Sequence, residues 1–171
     1  MFNVITPRGT EIQIYIAPPS SFILNHQSQL LPSWKSPIAY VILVLQQSRL
    51  SLELSNFDVV REKDYLREQF WRLGSNLIQQ LGDRNYLGDL FDPRSGYPWL
   101  SPSGTMTLND NAVVQALLDF PVTSYKNCSL LTHPKWNYAV YPSTIVTNAS
   151  WEILKSILGQ QIESQNWIVK K

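Results

Sequence analysis

The sequence predicts an α+β fold: one domain over residues 1–171, with an antiparallel sheet and flanking helices. Three observations carry this reading. A long amphipathic helix pattern, Arg61–Leu81, has strand-like segments on both sides. From Asn85 onward the chain reads mainly as short strands punctuated by turn residues. A second helix pattern, Trp151–Glu163, then closes the chain, so strands and helices do not alternate as in βαβ units. At 171 residues the chain has the length of a single domain. A chain this long buries roughly 70% of its unfolded surface, enough for a core without metal or disulfide staples.

Taken in order, Glu11–Ala17 alternates with Ile12, Ile14 and Ile16 on one face, the period-two pattern of a half-buried strand. Ser21–Leu31 reads as a short helix. Ile38–Leu45 is continuously apolar and β-branched, which suits a central strand covered on both faces. Ser48–Asp58 alternates through Leu50, Leu52 and Leu54 and is expected to continue as a second strand after a bend. In Arg61–Leu81 the residues Leu66, Phe70, Leu73, Leu77 and Leu81 recur at spacings of three and four, one apolar stripe. Gly82 then supplies the stop. The mixed-sign run Arg61-Glu62-Lys63-Asp64 reads as a solvated helix start.

Tyr86–Phe91 leads into Asp92-Pro93-Arg94-Ser95-Gly96, where Pro suits the second position of a type I turn and Gly the left-handed position after it. Tyr97–Leu100 is expected to return as the partner strand, and Asn111–Asp119 reads as a short helix. Tyr125–Thr132 and Tyr138–Thr147 are expected to form a second hairpin, turned at His133-Pro134-Lys135-Trp136-Asn137. Ser150 is the expected N-cap of the last helix, with Glu152 in its first turn.

Composition narrows the function. Fourteen Lys+Arg against thirteen Asp+Glu leave a net charge of +1, too little to neutralise a run of phosphates, which argues against a nucleic-acid partner. The longest apolar run has eight residues, where a membrane span needs about 20. No secretory signal opens the chain, so an intracellular, reducing location is expected, and the two N-x-S sequons at Asn127 and Asn148 read as accidental. One cysteine excludes an internal disulfide, and one cysteine with two histidines cannot supply the four N/S ligands of a structural zinc site. There is no Gly-rich phosphate loop, no His-Glu-x-x-His and no Gly-x-Ser-x-Gly elbow.

Cys128 carries the sharpest chemistry, since a thiolate is a strong nucleophile and a soft metal ligand. A lone cysteine is also commonly a small buried hydrophobe, and both readings stay open on periodicity alone. A Cys128–His133 dyad is disfavoured, because residues five apart on one strand face opposite sides. His26 and His133 read as structural histidines, and the tryptophans and tyrosines, spread over the whole chain, as packing residues.

Several segments now fall into one pattern. Gly88–Gly96 followed by Ser101-Pro102, then Cys128, His133 and Trp136, then Thr147-Asn148-Ala149, resemble the MMADHC family, the methylmalonic aciduria and homocystinuria type D proteins, also called CblD. Order and spacing agree from about Ile38 to the C-terminus. The resemblance implies a non-catalytic cobalamin (vitamin B12) trafficking protein on a nitroreductase-like scaffold that has lost its flavin. Such a protein holds no cofactor alone and meets cobalamin through a complex with a decyanase-type (CblC-type) partner, and self-dimerisation is also open. It further implies a cobalt-ligating cysteine on a hairpin. Animal members carry two adjacent cysteines here, and in register the first, the proposed ligand, is Asn127 while Cys128 takes the second. The expected site is therefore Cys128 flanked by Asn127 and Ser129, with His133, Lys135 and Trp136 shaping the docking surface. Asp92–Gly96 and Thr147–Ala149 are expected to be structural. The family's long N-terminal targeting region has no counterpart ahead of Met1, so a cytoplasmic location is expected. Two alternatives stand beside this reading. One is a flavin-dependent reductase whose phosphate would sit on Arg8, Lys35 or Arg94. The other is a cofactor-free interaction scaffold.

Overall fold

The apolar run around Ile38–Leu45 becomes the centre of the molecule. In the computed structural model, which describes residues 1–125 and 128–170, the elements follow in the order β1 (Phe2–Ile5), β2 (Glu11–Ala17), α1 (Ser21–Leu30), β3 (Tyr40–Gln47), α2 (Phe57–Gly82) and β4 (Gly88–Leu90). Then come α3 (Asp110–Leu118), β5 (Val122–Tyr125), β6 (Cys128–Leu131), β7 (Val140–Thr147), α4 (Trp151–Ser164) and β8 (Ile168–Val169). Six strands form one sheet in the order β4-β7-β3-β2-β1-β8, each neighbouring pair antiparallel, while β5 and β6 form a separate two-stranded ribbon. The α+β class and the antiparallel sheet with helices are as the sequence predicts.

Alternation along β3 explains the layers. Ile42 and Val44 face one side, where Phe70, Leu73, Leu77 and Leu81 of α2 and Leu154, Ile157, Leu158 and Ile162 of α4 cover them. Val41, Leu43 and Leu45 face the other, against Ile23 and Leu30 of α1, Val113 and Val114 of α3, Phe91, Leu131 and Trp136. A strand buried on both faces has no room for polar side chains, so its continuous apolar run follows. The α2 stripe is the predicted one. Its helix starts four residues earlier than Arg61 because Asn56 caps it, accepting from the Val59 N–H at 3.0 Å.

That cap overturns the expected strand at Ser48–Asp58. The Ser48 hydroxyl accepts from the Leu50 N–H at 3.1 Å, Glu62 accepts from the Arg49 N–H at 3.0 Å, and α2 begins at Phe57. Local side-chain bonds to the backbone replace a ladder here. Of the alternating leucines only Leu52 is buried. Gly82 is the last helical residue rather than the stop, and the left-handed position falls at Asn85 with φ 64°.

Both expected hairpins are rewired. Tyr97–Leu100 returns only as a single bridge, Phe91 to Pro98. The reason is Asp89, fully buried, whose carboxylate accepts from the N–H groups of Leu100 at 3.0 Å and Ser101 at 2.7 Å and draws the chain away from the ladder. The Tyr125–Thr132 segment does not pair with Tyr138–Thr147. β6 pairs with β5, and β7 spends its two edges on β3 and β4. The 133–137 turn closes on itself through a His133–Asn137 bridge, so it separates two sheets instead of joining one hairpin. β1 and β8, short segments that the sequence pattern does not single out, extend the sheet beyond β2.

The loop between β4 and α3 is fastened to α1 at Gly104. A Cβ there would lie 1.8 Å from the Gln29 carbonyl oxygen, which also accepts from the Met106 N–H at 3.1 Å. Gly104→Ala is therefore expected to lower stability by about 1–3 kcal/mol, the usual range for overpacking. Urea denaturation with an unchanged m-value would confirm it, and a wild-type midpoint would count against this contact.

Candidate functional site

Cys128 opens β6 and is exposed. It pairs across the ribbon with Tyr125, the last residue of β5. Asn127, the residue in register with the family's first cysteine, lies outside the described residues. Ser129, also exposed, pairs with Ser124 and accepts from Asn111 Nδ2 at its carbonyl oxygen, 2.9 Å, and its hydroxyl, 3.0 Å. That contact ties the thiol-bearing ribbon to the start of α3.

The docking-turn residues divide. His133 and Trp136 are buried and stacked, ring centroids 3.9 Å apart, and only Lys135 of the three reaches solvent. His133 Nδ1 accepts from the N–H groups of Lys135 and Trp136, both at 3.1 Å, so Nε2 carries the proton and donates to Gln13 Oε1 at 3.1 Å. With both ring nitrogens committed, His133 is no partner for the thiol, as strand geometry predicts. Burial pushes its pKa down to about 4. Lys135 Nζ donates to Glu11 Oε2 at 2.5 Å, joined by Lys170 Nζ at 3.1 Å, while Asn3 Nδ2 donates to Oε1 at 3.0 Å. Burial raises the Glu11 pKa, but these bonds outweigh it and hold the carboxyl at about 2. The 133–137 turn is thus stapled to β2. His26 sits half-buried on α1 with Nδ1 on the Phe22 carbonyl at 2.8 Å.

The two segments expected to be structural are both held by hydrogen bonds. Asp92 receives Arg67 Nε at 2.7 Å and Nη2 at 3.1 Å, the Arg94 N–H at 3.1 Å and the Ser95 hydroxyl at 3.0 Å. Burial works against its charge, but Arg67 and the turn donors win and hold its pKa below the usual carboxylate range. Gly96 closes the turn at φ 74°, where a Cβ would lie 2.5 Å from the Leu108 carbonyl oxygen. Thr147 donates to the Leu87 carbonyl at 2.6 Å, and Asn148 accepts from the Leu87 N–H at 2.7 Å and donates to Ser36 at 3.0 Å. Ser150 occupies the N-cap position of α4 without a side-chain bond to the backbone.

Between the 93–96 turn, the start of α3 and β6 lies a cleft of about 430 Å³. Sequence reasoning missed its central group, Asp110, because the partner is 34 residues away and leaves no local signature. Thr144 on β7 donates to Asp110 Oδ1 at 2.5 Å. Burial pushes the Asp110 pKa up to about 7, Thr144 opposes this, and nearby Asp92 adds to it. Tyr141, which lines the same cleft, is likewise raised well above the usual phenol range by burial.

The cations considered for a flavin phosphate are dispersed. Arg8 follows β1, pairs with Glu62 at 3.3 Å and lies over the Tyr65 ring. Arg94 pairs with Asp64, and Lys35 is exposed between α1 and β3. Among the described residues no group of three or more His, Cys, Asp or Glu is placed to hold a metal ion. Nor is any helix among them long and apolar enough to cross a membrane.

Similarity to known proteins converges on one family. The chain is 25% identical over 109 residues to a Gallus gallus protein described as cobalamin trafficking protein CblD. The match covers 64% of this chain and 37% of that relative, so the chain corresponds to a little over a third of its length. A family model, methylmalonic aciduria and homocystinuria type D protein, matches residues 8–158. The match takes in the Asp89 and Asp92 anchors, the stapled 133–137 turn, the Thr147-Asn148 anchor and Cys128, and on that extent this chain belongs to the MMADHC family.

Proposed function

We propose that this chain is a non-catalytic cobalamin trafficking protein that docks on a cobalamin-loaded, decyanase-type partner and presents Cys128 to the cobalt. The supporting observation is the placement of the thiol: solvent-facing, at the end of a two-stranded ribbon that stands outside the main sheet. A ribbon end is narrow enough to enter a partner's cavity, and a thiolate is a soft ligand suited to cobalt. Ligation requires the deprotonated thiol, and His133 is turned away, so the proton is released as the metal is bound. Among the described residues Lys135, on the turn that follows β6, is the surface cation nearest Cys128 in sequence. The name of the Gallus gallus relative supports the cobalamin assignment. A nitroreductase-like ancestry without flavin and a cytoplasmic location belong to the same reading.

The test is a visible spectrum of partner-held cob(II)alamin, recorded anaerobically before and after adding this protein or its Cys128→Ala variant. A shift with wild type that disappears in the variant is expected. A shift that survives the variant moves the contact away from Cys128. No shift and no co-elution with the partner sinks the cobalamin reading.

A further inference from the structure

We propose that Lys135 is a releasable docking cation for a carboxylate on the partner and, resting on the docking reading above, that Lys170 is the reserve counter-ion which keeps buried Glu11 paired when Lys135 leaves it. The cluster joins the start of β2, the 133–137 turn and the residue that follows β8. Both ammonium groups meet the same oxygen, Glu11 Oε2, at 2.5 and 3.1 Å, while Asn3 Nδ2 fills Oε1. The Glu11 side chain is only 6% exposed, whereas those of Lys135 and Lys170 are 54% and 43% exposed. A buried carboxylate stripped of its counter-ion is costly, while an exposed pair contributes little. One lysine meets the need of Glu11. His133, which also feels Glu11, is neutral at pH 7, so the cluster carries one spare unit of positive charge. Two like charges on one oxygen also repel, so each weakens the hold of the other.

The spare charge falls to Lys135. Its turn keeps its shape without the ion pair, because His133 Nδ1 accepts from the Lys135 and Trp136 N–H groups, Nε2 donates to Gln13, and the ring stacks on Trp136. The ammonium is therefore free to swing out on its flexible stem while the backbone beneath it stays in place. Lys170 is instead anchored beside Glu11 by its own N–H, which donates to the Asn3 carbonyl at 2.8 Å. One unit of charge matches a singly charged group, an Asp or Glu side chain of the partner, rather than a phosphomonoester with about −1.5 to −2. Docking then depends on a residue that need not touch the partner. With Lys170 in place, Lys135 exchanges one carboxylate for another and Glu11 stays paired. Without Lys170, each docking event strands a buried carboxylate.

Two experiments test this. The first needs no partner: Lys135→Met and Lys170→Met should each keep a urea midpoint near wild type, and the double variant should lose more than the sum of the two. Additive losses would overturn the reserve role. The second measures association with the cobalamin-loaded partner by calorimetry at low and high salt. Lys135→Met should bind about two- to fivefold more weakly at low salt, the scale of one exposed ion pair, and like wild type at high salt. Lys170→Met should weaken binding at least as much although Lys135 is intact. Glu11→Gln, which removes the need for a counter-ion, should bind more tightly than wild type, alone or with Lys170→Met. Wild-type affinity in Lys170→Met, or weaker binding in Glu11→Gln, would overturn the proposal. Hexaglutamate serves as a partner-free probe and should shift the backbone amides of Lys135, Trp136 and Lys170 at low salt, but not in Lys135→Met. Equal shifts with inorganic phosphate would overturn the carboxylate assignment. Hexaglutamate shifts with no association of the partner would uphold the site and sink the docking reading. A Cys128-dependent cob(II)alamin shift that ignores Lys135→Met and Lys170→Met would do the reverse.

Discussion

Phe70→Ala is expected to destabilise the protein by about 3–5 kcal/mol, the range for emptying a large aromatic site in a closed core. Phe70 is fully buried on α2, where it helps cover β3, and its ring lies 5.9 Å from that of Trp99. Trp99 in turn packs edge-on against Trp71 at 4.9 Å and lies beneath the Arg67 guanidinium at 5.1 Å. Arg67 holds Asp92, whose turn is one wall of the cleft. The damage should therefore reach the site as well as the midpoint. Thermal unfolding should shift by roughly 10 °C or more at this chain length, and Phe70→Leu should recover most of it. A Phe70→Ala midpoint within a degree or two of wild type would mean that α2 does not close this core.

Stability between pH 7 and 4 is expected to be nearly flat, because two groups titrate in opposite directions over the same range. His133 has its pKa lowered by burial from 6.5 to about 4, so the unfolded chain binds the extra proton. Its contribution is complete above 6.5 and is lost as pH falls to about 4. Asp110 has its pKa raised from 3.8 to about 7, again chiefly by burial, so the folded state holds the extra proton. Its contribution is complete below 3.8 and is lost as pH rises through 7. Each effect is on the order of 3–4 kcal/mol at its limit.

Single variants unmask them. Asp110→Asn should be more stable than wild type at pH 8 and should then lose stability steadily from pH 6.5 to 4. His133→Phe keeps a ring against Trp136 but removes the titrating nitrogen, and it should instead gain stability on acidification to pH 4. Below that, Glu11 takes over. Its carboxyl, held at about 2 against an ordinary 4.5, loses its ion pairs with Lys135 and Lys170 as pH drops from 4.5, and stability falls in every variant that keeps it. Urea denaturation at pH 8, 6, 4 and 3 measures all of this. An Asp110→Asn profile parallel to wild type would show that Asp110 is ionised in the folded protein at neutral pH.

The fold class, β2, the doubly covered β3, the α2 stripe and the closing helix are legible in the residues alone, because each has a period or a composition that reports burial directly. The Asp92–Gly96 turn is legible for a different reason, since turn chemistry is local, whereas Thr147 and Asn148 bond Leu87 and Ser36 far away in sequence. Tertiary structure decided the rest. Ser48–Asp58 has the alternation of a strand, yet Ser48 and Asn56 satisfy the backbone locally and start α2 early. β6 and β7 look like hairpin partners, but β7 already has β3 on one edge and β4 on the other, so β6 must pair with β5. That choice sets Cys128 on a ribbon outside the sheet. His133 and Trp136 carry no periodic signal for burial; the His133–Gln13 bond, 120 residues apart, and the Lys135–Glu11 pair, 124 apart, hold their turn against β2. Asp110 is an ordinary helix-start aspartate in the sequence; burial in the assembled cleft raises its pKa, against the bond from Thr144. Periodicity reports which face a segment buries, but pairing between distant edges and the desolvation of one carboxyl are properties of the assembled chain.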